Sequence, residues 1–339
     1  MTESLTIDTL FADCRWRLCH LDSEKSTATF NKLSHCELSE HNFADHRFMN
    51  HQPGDFVTVP LKALMQLMLQ EQNALMLREQ EVKSGKPAHY IFHSAFCGST
   101  LLSRALDEPG RCLSIREPYA LTQLSAFKRA NPAYVAQWAA WPQLLKLTLY
   151  FIARGYDENE VTVIKPTNSA NNLIPDLLAL NTNAQALMLS TSLRQFLVSN
   201  LKKGPSFHSF CRTLVSQLNI DTGYCDKHRI QNIDALTPLQ QAALVWQMHQ
   251  QQFKQAKHTL SFDQFMKDKP ATLARCNQLF GLGLSSAQLE NKLGSDIFKR
   301  HAKEQKGDYT QREKLLEDAQ ITAEYGEVIE QTVDWLLSF

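Results

Sequence analysis

No excess of charge of either sign marks this chain. Thirty-five Lys and Arg face thirty-five Asp and Glu, so the global basic field of a nucleic-acid coat is missing, and positive charge can act only locally, as around a small phosphorylated ligand. Long apolar runs are missing too, none approaching the roughly 18–20 residues of a membrane span. The longest candidate, 59–77, is interrupted by Lys62, Gln66, Gln70, Glu71 and Gln72. Its apolar positions recur at helical spacing, which predicts an amphipathic helix over Leu61–Val82. The opening MTESLTIDTLFADCRW lacks a basic start followed by an apolar block, so no secretion signal is expected. The eight cysteines form no CxxC pair and no paired spacing, as expected of reduced thiols in a cytoplasmic protein. His35, His41, His46 and His51, with Cys36, stand five or six residues apart, a spacing that matches no standard zinc pattern, and no metal is expected. Self-similarity at a fixed period is absent, which sets repeat architectures aside.

What is present is an ordinary globular composition, 43% apolar and 21% charged over 339 residues, room for one large domain or two modest ones. Trp16 to Lys32 reads as two short strands around a turn near Asp22 to Lys25. After the helix that follows, Ser84-Gly85-Lys86-Pro87 breaks the chain. The main boundary is drawn there, giving an N-terminal extension over 1–87 and a second domain over 88–339. Beyond it strand-like and helix-like segments alternate: strands at His89–His93, Val161–Ile164, Ala186–Ser190 and Thr259–Phe262, and helices at Ser99–Leu106, Asn171–Leu180, Arg194–Lys202, Pro238–Ala256, Ala271–Phe280 and Tyr309–Leu337. Alternation of this kind predicts an α/β fold, a parallel sheet flanked by helices.

The segment HYIFHSAFCGSTLLSRAL carries the most chemistry. A strand feeds a tight loop containing Gly98, and Ser99 and Thr100 open a helix, so backbone N–H groups and a helix dipole converge as they do where proteins hold phosphate. Against GxxxxGK[ST], Gly98 and Thr100 match, while His93 replaces the first Gly and Ser99 the Lys, so this is not an orthodox ATP loop. Two readings stand on spacing: an anion site, or a plain strand-to-helix turn in which Ser99 caps the helix.

The loop has company. SAFCGSTLLSRAL resembles the 5′-phosphosulfate loop of the sulfotransferases. Four further family elements follow in order: IREP, whose Glu117 matches the catalytic base of the tyrosylprotein sulfotransferase branch; VTVIKPTNSANNLIPDLLAL, resembling the strand–Lys–Pro–helix element with Lys165 at the strand end; AQALMLSTSLRQFLVSNLKK, resembling the strand ending in RDPRxxxxS; and LSFDQFMKDKPATLARCNQLFGLGL, resembling the YEDLxxDPxxTLxxxxxFLGL element. The resemblance runs over about 88–284 and implies a P-loop type α/β fold with 3′-phosphoadenosine 5′-phosphosulfate as sulfuryl donor. It implies that Cys97, Gly98, Ser99 and Thr100 hold the 5′-phosphate and that Arg194 and Ser199 serve the 3′-phosphate. Lys165 would stabilise the leaving group, and Glu117 would be the general base on a hydroxyl or amine of a small-molecule or peptide acceptor. Neither nucleic acid nor membrane is an expected partner.

Two positions depart from the family pattern. The basic residue before the loop is Phe96, and the Arg expected eight positions before Ser199 is Thr191. Each charge-assisted phosphate contact contributes about 1.5–3 kcal/mol, so other cations must substitute or the cofactor differs. Lys165, the cluster Arg194, Lys202, Lys203 and Arg212, and the run Lys299-Arg300-His301 with Lys303 and Lys306 are the candidates; a solvated surface is the alternative for each run. For Glu117 the alternative is an N-cap or surface carboxylate. Trp138, Trp141 and Trp246 are expected as core or pocket wall, and Cys97 as a small loop-filling residue. A kinase or nucleotide hydrolase on the same fold, or a non-catalytic nucleotide- or ligand-binding protein, are the rival functions.

Overall fold

The computed structural model describes residues 7–40, 44, 56–77, 88–254, 256–298 and 311–339. The chain divides into two compact units. The first comprises Met1–Tyr90, Leu106–Gln185 and Cys276–Leu284, the second Ile91–Ala105, Ala186–Arg275 and Ser285–Phe339.

In the first unit, β1 (Trp16–Asp22), β2 (Thr27–Lys32) and β3 (Phe56–Pro60) form an antiparallel sheet in the order β1-β2-β3. The β1–β2 hairpin forms where the turn residues predict it. Asp22 Oδ1 accepts from the N–H groups of Glu24 (3.1 Å) and Lys25 (2.9 Å), and Ser26 takes φ 53°, an Asx-type turn. Trp16, Leu18 and Phe30 are buried, and Phe30 meets Phe151 of the helix Trp141–Ala153 edge-on at 4.7 Å. β3 had no clear sequence signal: FVTVP is short and runs straight into the helix Leu61–Leu77, whose residues blurred its period. That helix occupies the predicted place, and 78–82 lie outside the described residues.

A five-stranded parallel sheet has the order β5-β6-β4-β7-β8, with β4 at His89–His93, β5 at Cys112–Arg116, β6 at Val161–Lys165, β7 at Ala186–Ser190 and β8 at His258–Ser261. Every residue of β4, β5 and β6 is buried, as expected of strands covered on both faces. The α/β class expected from alternation is therefore the class observed. β5 is an addition to the sequence reading, because CLSIR is flanked by no long apolar run. The predicted helix Asn171–Leu180 is instead a 3₁₀ turn, Asn168–Leu173, followed by a helix over Ile174–Leu180. Pro175 lacks an N–H and fixes φ, so it sits in the first turn of a new helix rather than inside an old one.

The second unit packs the helices Leu193–Lys203, Pro205–Thr222, Pro238–Gln252 and Gln311–Leu337 around one apolar core containing Phe196, Leu214, Val215, Leu244, Met248 and Val333. Pro205–Thr222 was not anticipated, although Cys211, Leu214, Val215 and Leu218 are buried at helical spacing. Pro238–Gln252 starts on a capping box in which Thr237 and Gln240 satisfy each other's backbone N–H groups. Among the described residues no helix is long and apolar enough to cross a membrane.

Candidate functional site

The loop after β4 belongs to the second unit. Ser94 N–H donates to Leu189 O (3.1 Å), which ties the end of β4 to β7. Ala95 N–H then donates to His93 Nδ1 (3.1 Å), so the residue standing in the first-glycine position acts as an acceptor for the turn. Ala95, Phe96 and Gly98 all have positive φ, at 69°, 52° and 74°. For the two non-glycine residues this is strained backbone, a state that clusters at functional loops.

Past the turn the helix Ser99–Leu106 begins, and its first intrahelical acceptor is Gly98 O, reached by Leu102 N–H (2.9 Å). The N–H groups of Gly98, Ser99 and Thr100 donate to no protein acceptor among the described residues. The Thr100 hydroxyl is likewise buried with no partner among the described residues, its residue only 3% exposed. Orphan donors of this kind at a helix start are what a bound anion satisfies. Cys97 is fully buried, which fits the expected loop-filling role.

Gly98 is held from behind. A Cβ placed there would lie 2.9 Å from the ring of Phe262. Gly98→Ala is therefore expected to cost about 3 kcal/mol, combining the left-handed penalty with overpacking. Urea denaturation reads it directly, and a change below about 0.5 kcal/mol would mean that the loop is not held in this conformation.

Phe96, where a cation was expected, packs on Phe196 (5.4 Å between centroids) and Phe207 (4.7 Å). Thr191 is buried, its carbonyl accepts from Trp246 Nε1 (2.8 Å), and its hydroxyl has no partner among the described residues. The basic cluster around it is not a free field. Arg194 makes a bidentate pair with Glu330 (both 2.6 Å) on the exposed side of its helix. Lys202 pairs with Asp318 (2.6 Å), and Arg212 with Asp234 (2.8 Å). The run 299–306 lies outside the described residues, as do His41, His46 and His51. His35 pairs with Glu160 at 3.5 Å.

Sequence reasoning passed over one polar network in this unit. Gln195 Nε2 reaches both Ser199 Oγ (3.5 Å) and Asp318 Oδ2 (3.1 Å), and Lys314 joins Asp318 at 3.5 Å. Lys314 also sits 4.3 Å over the Phe262 ring that backs Gly98. Burial lowers the Lys314 pKa against the opposing pull of Asp318; Asp318 itself is held below the usual carboxylate range, because Lys202 and Lys314 outweigh its own burial. The only local signal was Lys314 and Asp318 four residues apart on one helix face.

In the first unit, Glu117 and Lys165 come together, each at the carboxyl end of its strand. Arg116 and Lys165 are register partners in the β5–β6 pair, and Glu117 N–H donates to Lys165 O (2.6 Å). Glu117 takes φ 52°, and the fully buried Lys165 Nζ lies 2.5 Å from its Oε1. Arg116 faces elsewhere, donating to the carbonyls of Ser114, Leu38 and Ser39 and lying 3.7 Å from Asp107. Trp141 is buried with Nε1 on Asp176 (2.9 Å), and Trp138 is half-buried.

No family model and no curated protein matches the chain. Among solved structures it is similar to the sulfotransferase domain from the curacin biosynthetic pathway, at 14% identity and a TM-score of 0.42, over 72% of this chain and 99% of that one. It is also similar to a sulfotransferase from Mycobacterium tuberculosis, at 12% identity and a TM-score of 0.37 over 77% and 80% of the two chains. A third, from Mycobacterium avium, gives 12% and 0.37 over 78% and 81%.

Proposed function

We propose that this chain is a sulfotransferase-like enzyme that moves a sulfuryl group from 3′-phosphoadenosine 5′-phosphosulfate to a hydroxyl or amine of a small-molecule or peptide acceptor. The observation that carries the reading is the set of unsatisfied donors at Gly98, Ser99 and Thr100, on a loop whose sequence resembles the phosphosulfate loop. Those groups and the helix start hold the 5′-phosphate, and Ser199 serves the 3′-phosphate with Arg194 at the outer edge. Glu117 takes the proton of the acceptor as its oxygen or nitrogen bonds to sulfur. The bridging S–O bond breaks, and the electron pair leaves on the phosphate, with Lys165 as the balancing cation.

One observation favours a second reading, a nucleotide-binding protein without turnover: Phe96 is spent on aromatic packing, and Arg194, Lys202 and Arg212 are already ion-paired. A melt with 3′,5′-adenosine bisphosphate, ADP or ATP–Mg²⁺ separates the possibilities. At 100 times its dissociation constant a ligand adds about 2.7 kcal/mol, a shift of several degrees. Selective stabilisation by the bisphosphate is the expected result, and stabilisation by ATP–Mg²⁺ alone would overturn the sulfotransferase reading. Glu117→Gln then decides between enzyme and binding protein: turnover should fall about 10²–10⁴-fold with the bisphosphate shift retained.

A further inference from the structure

The three-stranded sheet of the first unit carries a buried arginine that no carboxylate among the described residues neutralises. Arg17, in β1, is 4% exposed. Its Nη1 donates to the carbonyls of Ile152 (3.0 Å) and Arg154, its Nε donates to the Tyr156 hydroxyl (3.3 Å), and the guanidinium lies 4.4 Å over the Tyr156 ring. Nη2 is buried with no hydrogen-bond partner among the described residues.

A buried guanidinium with no counter-charge among the described residues is costly. Its surroundings add to the problem. Arg154, half-buried nearby, is a second guanidinium, spent on the carbonyls of Phe11, Asp13 and Trp16; burial lowers its pKa, and repulsion from Arg17 lowers it further. The buried carboxylate of Glu160 is committed to the N–H groups of Gly110 and Tyr156 and to His35. Asp13 is paired with Arg15 and Lys32. The site therefore holds positive charge that the described protein does not balance.

Arg17 lines a cavity of about 30 Å³, with Asn31 and Cys19 completing the polar side and Leu38, Ile115 and Pro118 among the apolar wall. Asn31 stands opposite Arg17 in the β1–β2 register, so the two side chains share a face. Asn31 is 2% exposed, and its amide makes no hydrogen bond among the described residues. The Cys19 thiol donates to Thr29 O (3.1 Å), and burial pushes its pKa up to about 12, so it stays neutral. At about 10–15 Å³ per water such a space takes two or three waters, or a carboxylate.

We propose that this cavity is a binding site for a carboxylate, either a short aliphatic monocarboxylate or the terminal carboxylate of a longer ligand. One oxygen accepts from Arg17 Nη2 and the other from the Asn31 amide, and the first methylenes meet Leu38, Ile115 and Pro118. A tetrahedral dianion fits poorly: it brings twice the charge and more acceptors to a site with two donor groups and apolar walls. Ile115 and Pro118 bracket Glu117 in sequence, yet the proposal goes beyond the transfer reading and stands without it, because binding is read in the absence of nucleotide.

The test titrates sodium butyrate into the full-length protein at fixed ionic strength, with sodium chloride and butyramide as controls, followed by melting and by calorimetry. Butyrate is expected to bind saturably and raise Tm, with no effect from butyramide or chloride. Arg17→Met should weaken binding by about tenfold to a hundredfold, the loss of one charge-assisted hydrogen bond. Asn31→Leu, which keeps the guanidinium, should weaken it at least severalfold and serves if Arg17→Met does not fold. A butyrate effect equal to that of chloride or butyramide, or unchanged in both variants, overturns the proposal.

Discussion

Lys165→Met should destabilise the protein by about 3 kcal/mol, and Glu117→Gln added to it should return much of that loss. The reason lies in what each change leaves behind. Lys165 is wholly buried, with its ammonium against Glu117 Oε1, and Glu117 is a mostly buried carboxylate held on left-handed backbone by the Lys165 carbonyl. Removing the lysine takes away the cation that Glu117 Oε1 is paired with, and breaking a buried pair from one side typically costs about 3–5 kcal/mol. The residual exposure of Glu117 places the expectation at the low end. Neutralising both partners removes the stranded charge, so the double variant should lie well above the additive sum, by more than about 1 kcal/mol in a urea-denaturation cycle. Additive effects would mean that the pair is not coupled in solution.

Acid should weaken the second unit well before carboxylates protonate, and His249 is the cause. The ring is fully buried beside Phe253, burial drives its pKa down to about 4, and the hydrogen bond with Gln252 offsets this only in part. In the unfolded chain the same group titrates near 6.5. Above that pH both states are neutral and the stability is intact; as pH falls from about 6.5 towards 4 the unfolded state gains protons that the folded state refuses. The slope approaches about 1.4 kcal/mol per pH unit, for a total near 3 kcal/mol, and it flattens once the folded ring itself protonates. His89, in the first unit, has its pKa lowered by burial too, which gives that unit a slope of the same sign. Asp13, held at about 2 chiefly by its bond to Arg15, acts in a separate window below about pH 4, where its stabilisation is lost. His249→Gln should therefore flatten the stability profile between pH 6.5 and 4 without altering its fall below 4. An unchanged slope would show that the ring is solvated.

How much of this was legible beforehand depended on whether a feature was local. The β1–β2 hairpin, the strands β4, β6 and β7 and the opening of the phosphate-type loop follow from turn residues and apolar runs read a few positions at a time. β5 and the helix Pro205–Thr222 did not, since Ser114 and Arg116 inside one, and the Ser, Thr, Gln and Asn residues scattered among the apolar positions of the other, mask their buried sides. For the candidate site, Gly98, Ser99 and Thr100 were readable from the strand–loop–helix pattern, and Glu117 and Lys165 from spacing along a resemblance. That Arg194, Lys202 and Arg212 are consumed by ion pairs was not readable, because Glu330, Asp318 and Asp234 lie from about twenty to more than a hundred residues away. Lys314 and Arg17 were invisible for the same reason: their significance is an environment assembled from distant chain.

The position of β4 between strands made later also has a consequence for biosynthesis. Its partner β6 begins about seventy residues downstream. At cellular synthesis rates of about 5–20 residues per second, the HYIFH segment, buried along its whole length in the folded protein, waits several seconds with neither edge paired. Early termination or pausing between the two strands would leave a nascent chain displaying an adhesive β edge, so the ribosome-bound intermediate, more than the finished protein, is the form most in need of a chaperone.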